Sequence, residues 1–223
     1  MSSFVQGNSA TSGGTQTNVV SAAFSSNNAA GNFLVCAVRY FVISIGGGIT
    51  GVTDSQGNTW VRANGSYQDG ASDFVSFWYA TNCKAGANTV TFTGGSSSAF
   101  PRICIAEYNT TLQTEDLNNH AAGTTSTSFN SGNISPAVTE NLFGFVQNNT
   151  ADSQTYTPAV GWTFRESPDG NLSYYDQLDA VAGTYAFSGT IGSSVEWNAM
   201  IVSFKGAVAT GVKNGLMLHG SGL

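Results

Sequence analysis

The side chains that most often carry catalysis are few in this chain and lie far apart. A nucleophilic triad needs a base, which is usually histidine, and the 223 residues contain 2 histidines. His120 lies in a polar stretch that resembles a linker, and His219 lies close to the final residue. No Gly-x-Ser-x-Gly turn accompanies them. We therefore interpret both as solvent-exposed loop residues and predict no triad.

Paired carboxylates are the other common route to hydrolysis, and they must face each other across a cleft. The acidic residues do not follow the alternating strand pattern of sandwich-fold glucanases. With no triad, carboxylate pair or phosphate-binding loop in the sequence, we predict that the protein is not an enzyme and uses no cofactor. The carboxylates considered are Glu107, Glu166, Asp169, Asp176, Asp179 and Glu196.

Two acidic segments have the composition of hairpin turns. They are Asp169-Gly170 and residues 54–58, which read Asp-Ser-Gln-Gly-Asn, and Asp, Asn and Gly favour the backbone conformations that turns require. The alternative for the second segment is a Ca²⁺ site, because Asp54 and Asn58 carry suitable oxygen atoms. We favour turns and predict no metal site.

Three cysteines are present, and an odd number argues against a full disulfide framework. Cys36 and Cys104 each lie in a short apolar segment, where cysteine behaves as a small hydrophobic residue. We expect both to be buried and reduced. The alternatives are a Cys36–Cys104 bridge or a metal site, although the CxxC spacing of metal ligands is missing.

Aromatic residues near turns and on strands suggest a different role, the stacking of a sugar ring on an exposed aromatic face. Tyr175 and Tyr185 are two of the aromatic residues that lie near turns or on strands. The alternative is that the rings belong to the core or to a subunit contact, because residues 74–79 are apolar on both faces of a strand. The candidates that we select for carbohydrate binding are Trp60, Tyr67, Trp162 and Tyr174.

The composition is that of a protein working outside a cell. Charged residues make up 9% of the chain, against about 25% in an ordinary soluble domain. The net charge is −6 with only 7 Lys and Arg, so we predict no nucleic-acid partner. No apolar run is long enough to span a bilayer, and we predict no membrane partner. The amino end does not resemble a secretory signal. A phage virion protein would reconcile this with the extracellular type of composition, because such proteins leave the cell by lysis.

Strands dominate the secondary structure that the sequence predicts. Short segments rich in Val, Ile, Phe, Tyr, Trp and Thr alternate with Gly, Asn, Ser and Asp, as in an all-β domain. No segment has a helical period. We predict about twelve strands, near residues 17–24, 33–41, 59–63, 74–80, 89–93, 102–108, 125–129, 142–147, 162–166, 172–178, 184–188 and 198–205.

The first six and the last six predicted strands contain similar residues and turns in the same order. Trp60 corresponds to Trp162, and Ala-Gly precedes both 89–94 and 184–189. Since short strands gain by packing across such a repeat, we predict one β-sandwich, jelly-roll-like in topology, with an internal pseudo-duplication. Two tandem small sandwiches are the alternative.

The predicted domain covers residues 1–205, with half-repeats at about 14–109 and 123–205, and residues 206–223 form an extended Gly-rich tail. Such an arm orders by lying on another chain, so we predict a homo-oligomer in which the tail contacts a neighbouring subunit or a capsid shell. The apolar residues predicted to make this contact are Val212, Leu216, Met217 and Leu218.

Several segments resemble a diffuse group of bacterial and phage β-sandwich modules rich in Gly, Ser and Thr. The resemblance rests on residues 32–40, 52–60, 79–82, 85–91 and 105–108, which are turn and core signatures. It implies a jelly-roll or lectin-like sandwich and carries no catalytic residue. The chain departs from the group in its amino end and in the tail.

These observations lead to two hypotheses about function. The first is a virion structural protein, specifically a phage head-decoration or cement protein that binds a capsid protein. The alternative is a secreted, extracellular carbohydrate-binding module, or a tail or fibre adhesin, with a glycan as its partner.

Overall fold

The computed structural model describes residues 1–13, 17–42, 49–65, 67–69, 73–95, 98–150 and 153–206. All regular secondary structure in these ranges is β-strand, which confirms the predicted all-β class, and none of them contains a helix that could cross a membrane. The strands are β1 (Ser3–Thr11), β2 (Val19–Ala23), β3 (Phe33–Val42), β4 (Ile49–Asp54), β5 (Val61–Arg62), β6 (Tyr67–Asp69), β7 (Asp73–Ala80), β8 (Thr89–Gly94), β9 (Ser98–Asn109), β10 (Leu112–Ile134), β11 (Glu140–Asn148), β12 (Tyr156–Pro158), β13 (Thr163–Glu166), β14 (Leu172–Ala180) and β15 (Tyr185–Gly206).

The first sandwich consists of β1 to β9. Its inner sheet has the order β1-β9-β3-β7-β5, with β6 also paired to β7, and its outer sheet has the order β2-β8-β4. In β8 every second residue is buried, as expected for a strand with one face on a core. The outer sheet packs on the inner sheet through a core that includes Phe92, Trp78 and Tyr40.

The second sandwich, β10 to β15, repeats this topology with fewer, longer strands. Its inner sheet has the order β10-β15-β11-β14-β13, which matches the first inner sheet position by position. Residues 126–134 of β10 and residues 185–195 of β15 pair with each other and, together with β12, form its outer layer. Phe187 in this part of β15 lies directly over Gly144 of β11. Both sandwiches have the strand order of a jelly roll, and the internal duplication is confirmed.

The two inner sheets pack face to face and share a third core. Phe33 and Phe77 of the first sandwich stack on Phe143 of the second at centroid distances of 5.9 and 5.8 Å. Sixteen buried residues from both halves form this cluster. The structure therefore differs from the predicted single sandwich, because each repeat closes its own outer layer and the repeats join through their inner sheets.

Several strands were not predicted. β1 and the first part of β10 are mostly polar edge strands, which have no alternating apolar pattern to reveal them. The predicted linker around His120 is part of β10, where this half-buried residue pairs with Met200. The prediction that His120 is a solvated loop residue was therefore wrong, and burial lowers its pKa. His219 and the tail contacts Val212, Leu216, Met217 and Leu218 lie outside the described residues.

Candidate functional site

An open groove of about 440 Å³ lies on the second sandwich, where the outer strand β12 approaches β13 and β14 of the inner sheet. The chain enters it along β12 and returns along β13 after a short connection. Its lining combines aromatic side chains with hydroxyl and amide side chains, and we call the second group the polar wall. The lining residues are Gln154, Thr155, Tyr156, Pro158, Trp162, Phe164, Ser167, Ser173 and Tyr175.

The aromatic part depends on the alternation of side chains along β13 and the residues before it. Residues two apart on an extended segment point to the same side, so Trp162 and Phe164 both face the groove. Trp162 is half-buried and rests edge-on against Phe187, with 4.7 Å between ring centroids. Phe164 is 54% exposed and contacts Tyr175 at 5.5 Å. The groove thus presents aromatic surface that rigid buried rings hold in place.

Two buried tyrosines, Tyr156 and Tyr175, also line the groove, and their hydroxyl groups bond to the protein. The Tyr175 hydroxyl donates to the carbonyl oxygen of Tyr156 at 3.3 Å, and the Tyr156 hydroxyl accepts from Nδ2 of Asn148 at 2.9 Å. Burial raises the pKa of Tyr175 to about 12. Both phenols therefore remain neutral under physiological conditions, and they contribute ring surface rather than charge.

The polar wall is held by its own hydrogen bonds. Ser167 Oγ donates to the carbonyl oxygen of Leu172 at 2.7 Å, and Ser173 Oγ donates to Ser167 Oγ at 3.1 Å. Gln154 accepts from Ser193 Oγ at 2.6 Å. These bonds fix the positions of the side chains, so a ligand meets a polar surface that is already organised.

None of the lining residues that the structure describes carries a charge. Arg165, next to Phe164, points to the junction between the sandwiches, where its Nε donates to Asp176 at 2.7 Å. Arg102 likewise pairs with Asp169 at 2.6 Å. Glu166 lies against Gly7 of the first sandwich, and burial raises its pKa. The Arg102–Asp169 pair thus joins the two sandwiches, and the Arg165–Asp176 pair joins β13 to β14 within the second.

The four carbohydrate-binding candidates have different outcomes. Trp162 lines the groove. Trp60 is half-buried on the core of the first sandwich, and its Nε1 donates to Asp54 at 3.0 Å. Tyr174 was wrongly selected, because it is 0% exposed and its hydroxyl meets that of Tyr108 at 3.0 Å in the shared core. Tyr67 lies on β6, and its side chain is outside the described part of the structure.

The first sandwich differs at the position that corresponds to the groove. Arg62 pairs with Trp78 across β5 and β7, just as Phe164 pairs with Tyr175 across β13 and β14. A charged side chain therefore replaces the second ring. In addition, Asp54 at the end of β4 accepts a hydrogen bond from Trp60. The two sandwiches therefore have different surfaces at equivalent positions.

Sequence reasoning missed Phe164 and Tyr156 as site residues. The available signal for Phe164 was its spacing of two from Trp162, which places both rings on one side of a strand. Nothing local marks Tyr156, since its place in the groove depends on the pairing of β12 with β15.

Most of the carboxylates considered for catalysis have structural hydrogen bonds. The Glu107 carboxylate is buried and accepts from Gln6, Asn28, Asn32 and the backbone nitrogen of Ala29, at 2.6 to 2.8 Å. Among the other carboxylates, Asp169 pairs with Arg102 and Asp176 pairs with Arg165. Asp179 accepts from the backbone nitrogen of Ser2, and Glu196 accepts from Asn149.

The two acidic turns are present, with different connections. Asp169-Gly170 joins the paired strands β13 and β14, as a hairpin turn does. The turn that starts at Asp54 leads from the outer sheet to the inner sheet instead, and the Asp54 carboxylate accepts from the backbone nitrogen of Asn58 at 2.9 Å and from Asn88 at 3.1 Å. Among the described residues, no three metal-binding side chains come together.

The cysteines are free and buried, as predicted for Cys36 and Cys104. Cys36 belongs to the core beneath the first outer sheet, and Cys104 belongs to the shared core. Their side chains therefore lie on opposite faces of the same sheet, which rules out a bridge between them.

Comparisons of the chain with protein-family models, with curated proteins and with solved structures found no match.

Proposed function

We propose that this protein is a non-catalytic binding module that recognises a carbohydrate through the groove of its second sandwich. The observation that carries this proposal is the pairing of partly exposed Trp162 and Phe164 with a polar wall. A pyranose ring has an apolar C–H face and a rim of hydroxyl groups. Aromatic rings suit the first, and the Ser and Gln side chains suit the second.

The experiment is a binding screen with immobilised and soluble polysaccharides. We expect retarded migration of the native protein in an affinity gel that contains a recognised polysaccharide. Trp162→Ala should abolish the retardation. Trp60→Ala is the matched control, because Trp60 occupies the equivalent strand position without lining the groove, and it should leave the retardation unchanged.

The same module also fits the surface of a virus particle or an extracellular location, and a phage structural protein is our second candidate. Jelly rolls occur in both capsid and lectin domains. The specific observation in its favour is a set of exposed valines on the second sandwich: Val138 (49%), Val160 (103%) and Val181 (66%). Such residues would be buried against a subunit or a capsid protein in an assembly.

The test of this second proposal is truncation after Gly206, which keeps every described strand. A cement protein that assembles through its tail should lose its oligomeric state in analytical ultracentrifugation, while its circular dichroism is unchanged. A truncated protein that still assembles fully, or an intact protein that is monomeric at micromolar concentration, would exclude assembly through the tail.

A further inference from the structure

We infer that the ligand of the groove is an uncharged pyranoside and that acidic sugars are excluded. This inference rests on the proposed carbohydrate-binding function and specifies the class of sugar. It follows from the position of every basic side chain in the described ranges and from the composition of the groove wall.

An acidic sugar would need a positive partner, and the described part of the groove offers none. Each described basic residue either has a partner elsewhere or lies on the first sandwich. Arg165, Arg102 and Lys205 are in ion pairs with aspartates at 2.6 to 2.7 Å. Arg39 is buried and donates to Gln147. Lys84 donates to the carbonyl oxygens of Gln56 and Gly57, and Arg62 lies on β5.

The desolvation of a carboxylate in this groove would therefore be uncompensated. A charged group loses much more hydration than a hydroxyl group when it enters a protein site, and only a paired counter-charge offsets the loss. The net charge of −6 adds a weak long-range repulsion. A cationic amino sugar is disfavoured as well, because the lining residues that the structure describes include no carboxylate.

A neutral ring meets neither cost. Its C–H face can lie on Trp162 and Phe164, and its hydroxyl groups can exchange water for Ser167, Ser173 and Gln154. The same reasoning disfavours nucleotides, whose bases could stack on the rings but whose phosphates would have no partner.

The experiment compares neutral and acidic oligosaccharides of matched length by isothermal titration calorimetry. Neutral probes are hexasaccharides of glucose, mannose, galactose and N-acetylglucosamine. The charged pair is hexagalacturonate and its fully methyl-esterified form, which differ in charge on the same backbone. We expect binding by at least one neutral hexasaccharide, a loss of at least about tenfold in Trp162→Ala, and no change in Trp60→Ala.

The outcomes separate the two claims. Binding of hexagalacturonate as tight as or tighter than that of every neutral probe, with the same dependence on Trp162, would overturn the inference and leave the carbohydrate-binding function intact. No binding by any probe in calorimetry or in the affinity gels would overturn both. Salt gives a further check, because binding of a neutral sugar should not change between about 0.05 and 0.5 M NaCl.

Discussion

Replacement of Gly144 by alanine tests the way in which the second sandwich supports its groove. An alanine Cβ at this position would lie 2.5 Å from Cγ of Phe187, much closer than the 3.5–4.0 Å or so at which carbon atoms pack favourably. Phe187 is held by Phe129 at 5.0 Å, Tyr175 at 5.3 Å and Trp162 at 4.7 Å. The ring can therefore move only by displacing its neighbours.

Overpacking of this kind costs about 1–3 kcal/mol. The loss of a glycine restricts the unfolded chain and returns about 0.4–1 kcal/mol. The net loss in the free energy of unfolding therefore falls between about 0 and 2.6 kcal/mol, and the 2.5 Å approach to Phe187 places our expectation in the upper half of that range. The measurement is urea unfolding followed by tryptophan fluorescence, with an unchanged m-value. Because Trp162 rests on Phe187, binding to any sugar found in the screen should weaken in parallel.

The matched control is Gly51→Ala on β4 of the first sandwich. Gly51 has nothing within 4 Å of the added Cβ, so this variant should be as stable as the native protein or slightly more stable. If Gly144→Ala and Gly51→Ala unfold at the same urea concentration, then Phe187 does not pack over β11 as described.

Three further predictions concern buried polar groups. Cys36 and Cys104, whose pKa values are raised by burial, should resist a chromogenic disulfide reagent until the protein unfolds; labelling within seconds in buffer would contradict their burial. Glu107→Gln places an amide group against donors from three side chains and one backbone nitrogen, and should lower the free energy of unfolding by at least about 2 kcal/mol. Burial raises the pKa of Glu140 above its ordinary value of 4.5, so its contribution to stability is full below that value and is lost as the pH rises through the folded-state pKa. Glu140→Gln should remove this fall as the pH rises above 4.5, and equal pH slopes in the two proteins would show that Glu140 does not titrate in this way.

The fold class was predictable because apolar segments and turn residues are local signals. β3, β7 and β9 each hold a continuous apolar run between polar turns, and the repeat of landmarks indicated the duplication. The pairing of the inner sheets was not predictable. β3 and β11 are apolar on both faces, and the sequence does not tell which face meets its own outer sheet and which meets the other half.

The site was only partly predictable for a related reason. Trp162 and Tyr174 look alike in sequence, since both are aromatic residues in or beside strands. Their exposure depends on strand parity, and Tyr174 faces the shared core while its neighbour Tyr175 faces the outer side. A one-residue difference in register therefore decides which tyrosine can meet a ligand.

The shared core also links events in one half of the molecule to the other. Separation of the sandwiches would expose the stacked faces of Phe33, Phe77 and Phe143 to water, so the chain should unfold as one cooperative unit. A ligand that binds only the native groove then stabilises the whole chain, by RT ln(1 + [L]/Kd). Cys36 lies beneath the outer sheet of the first sandwich, far from the groove. If its labelling requires global unfolding, saturation of the groove with sugar should slow that labelling. That thiol would then report occupancy of a groove that it does not touch.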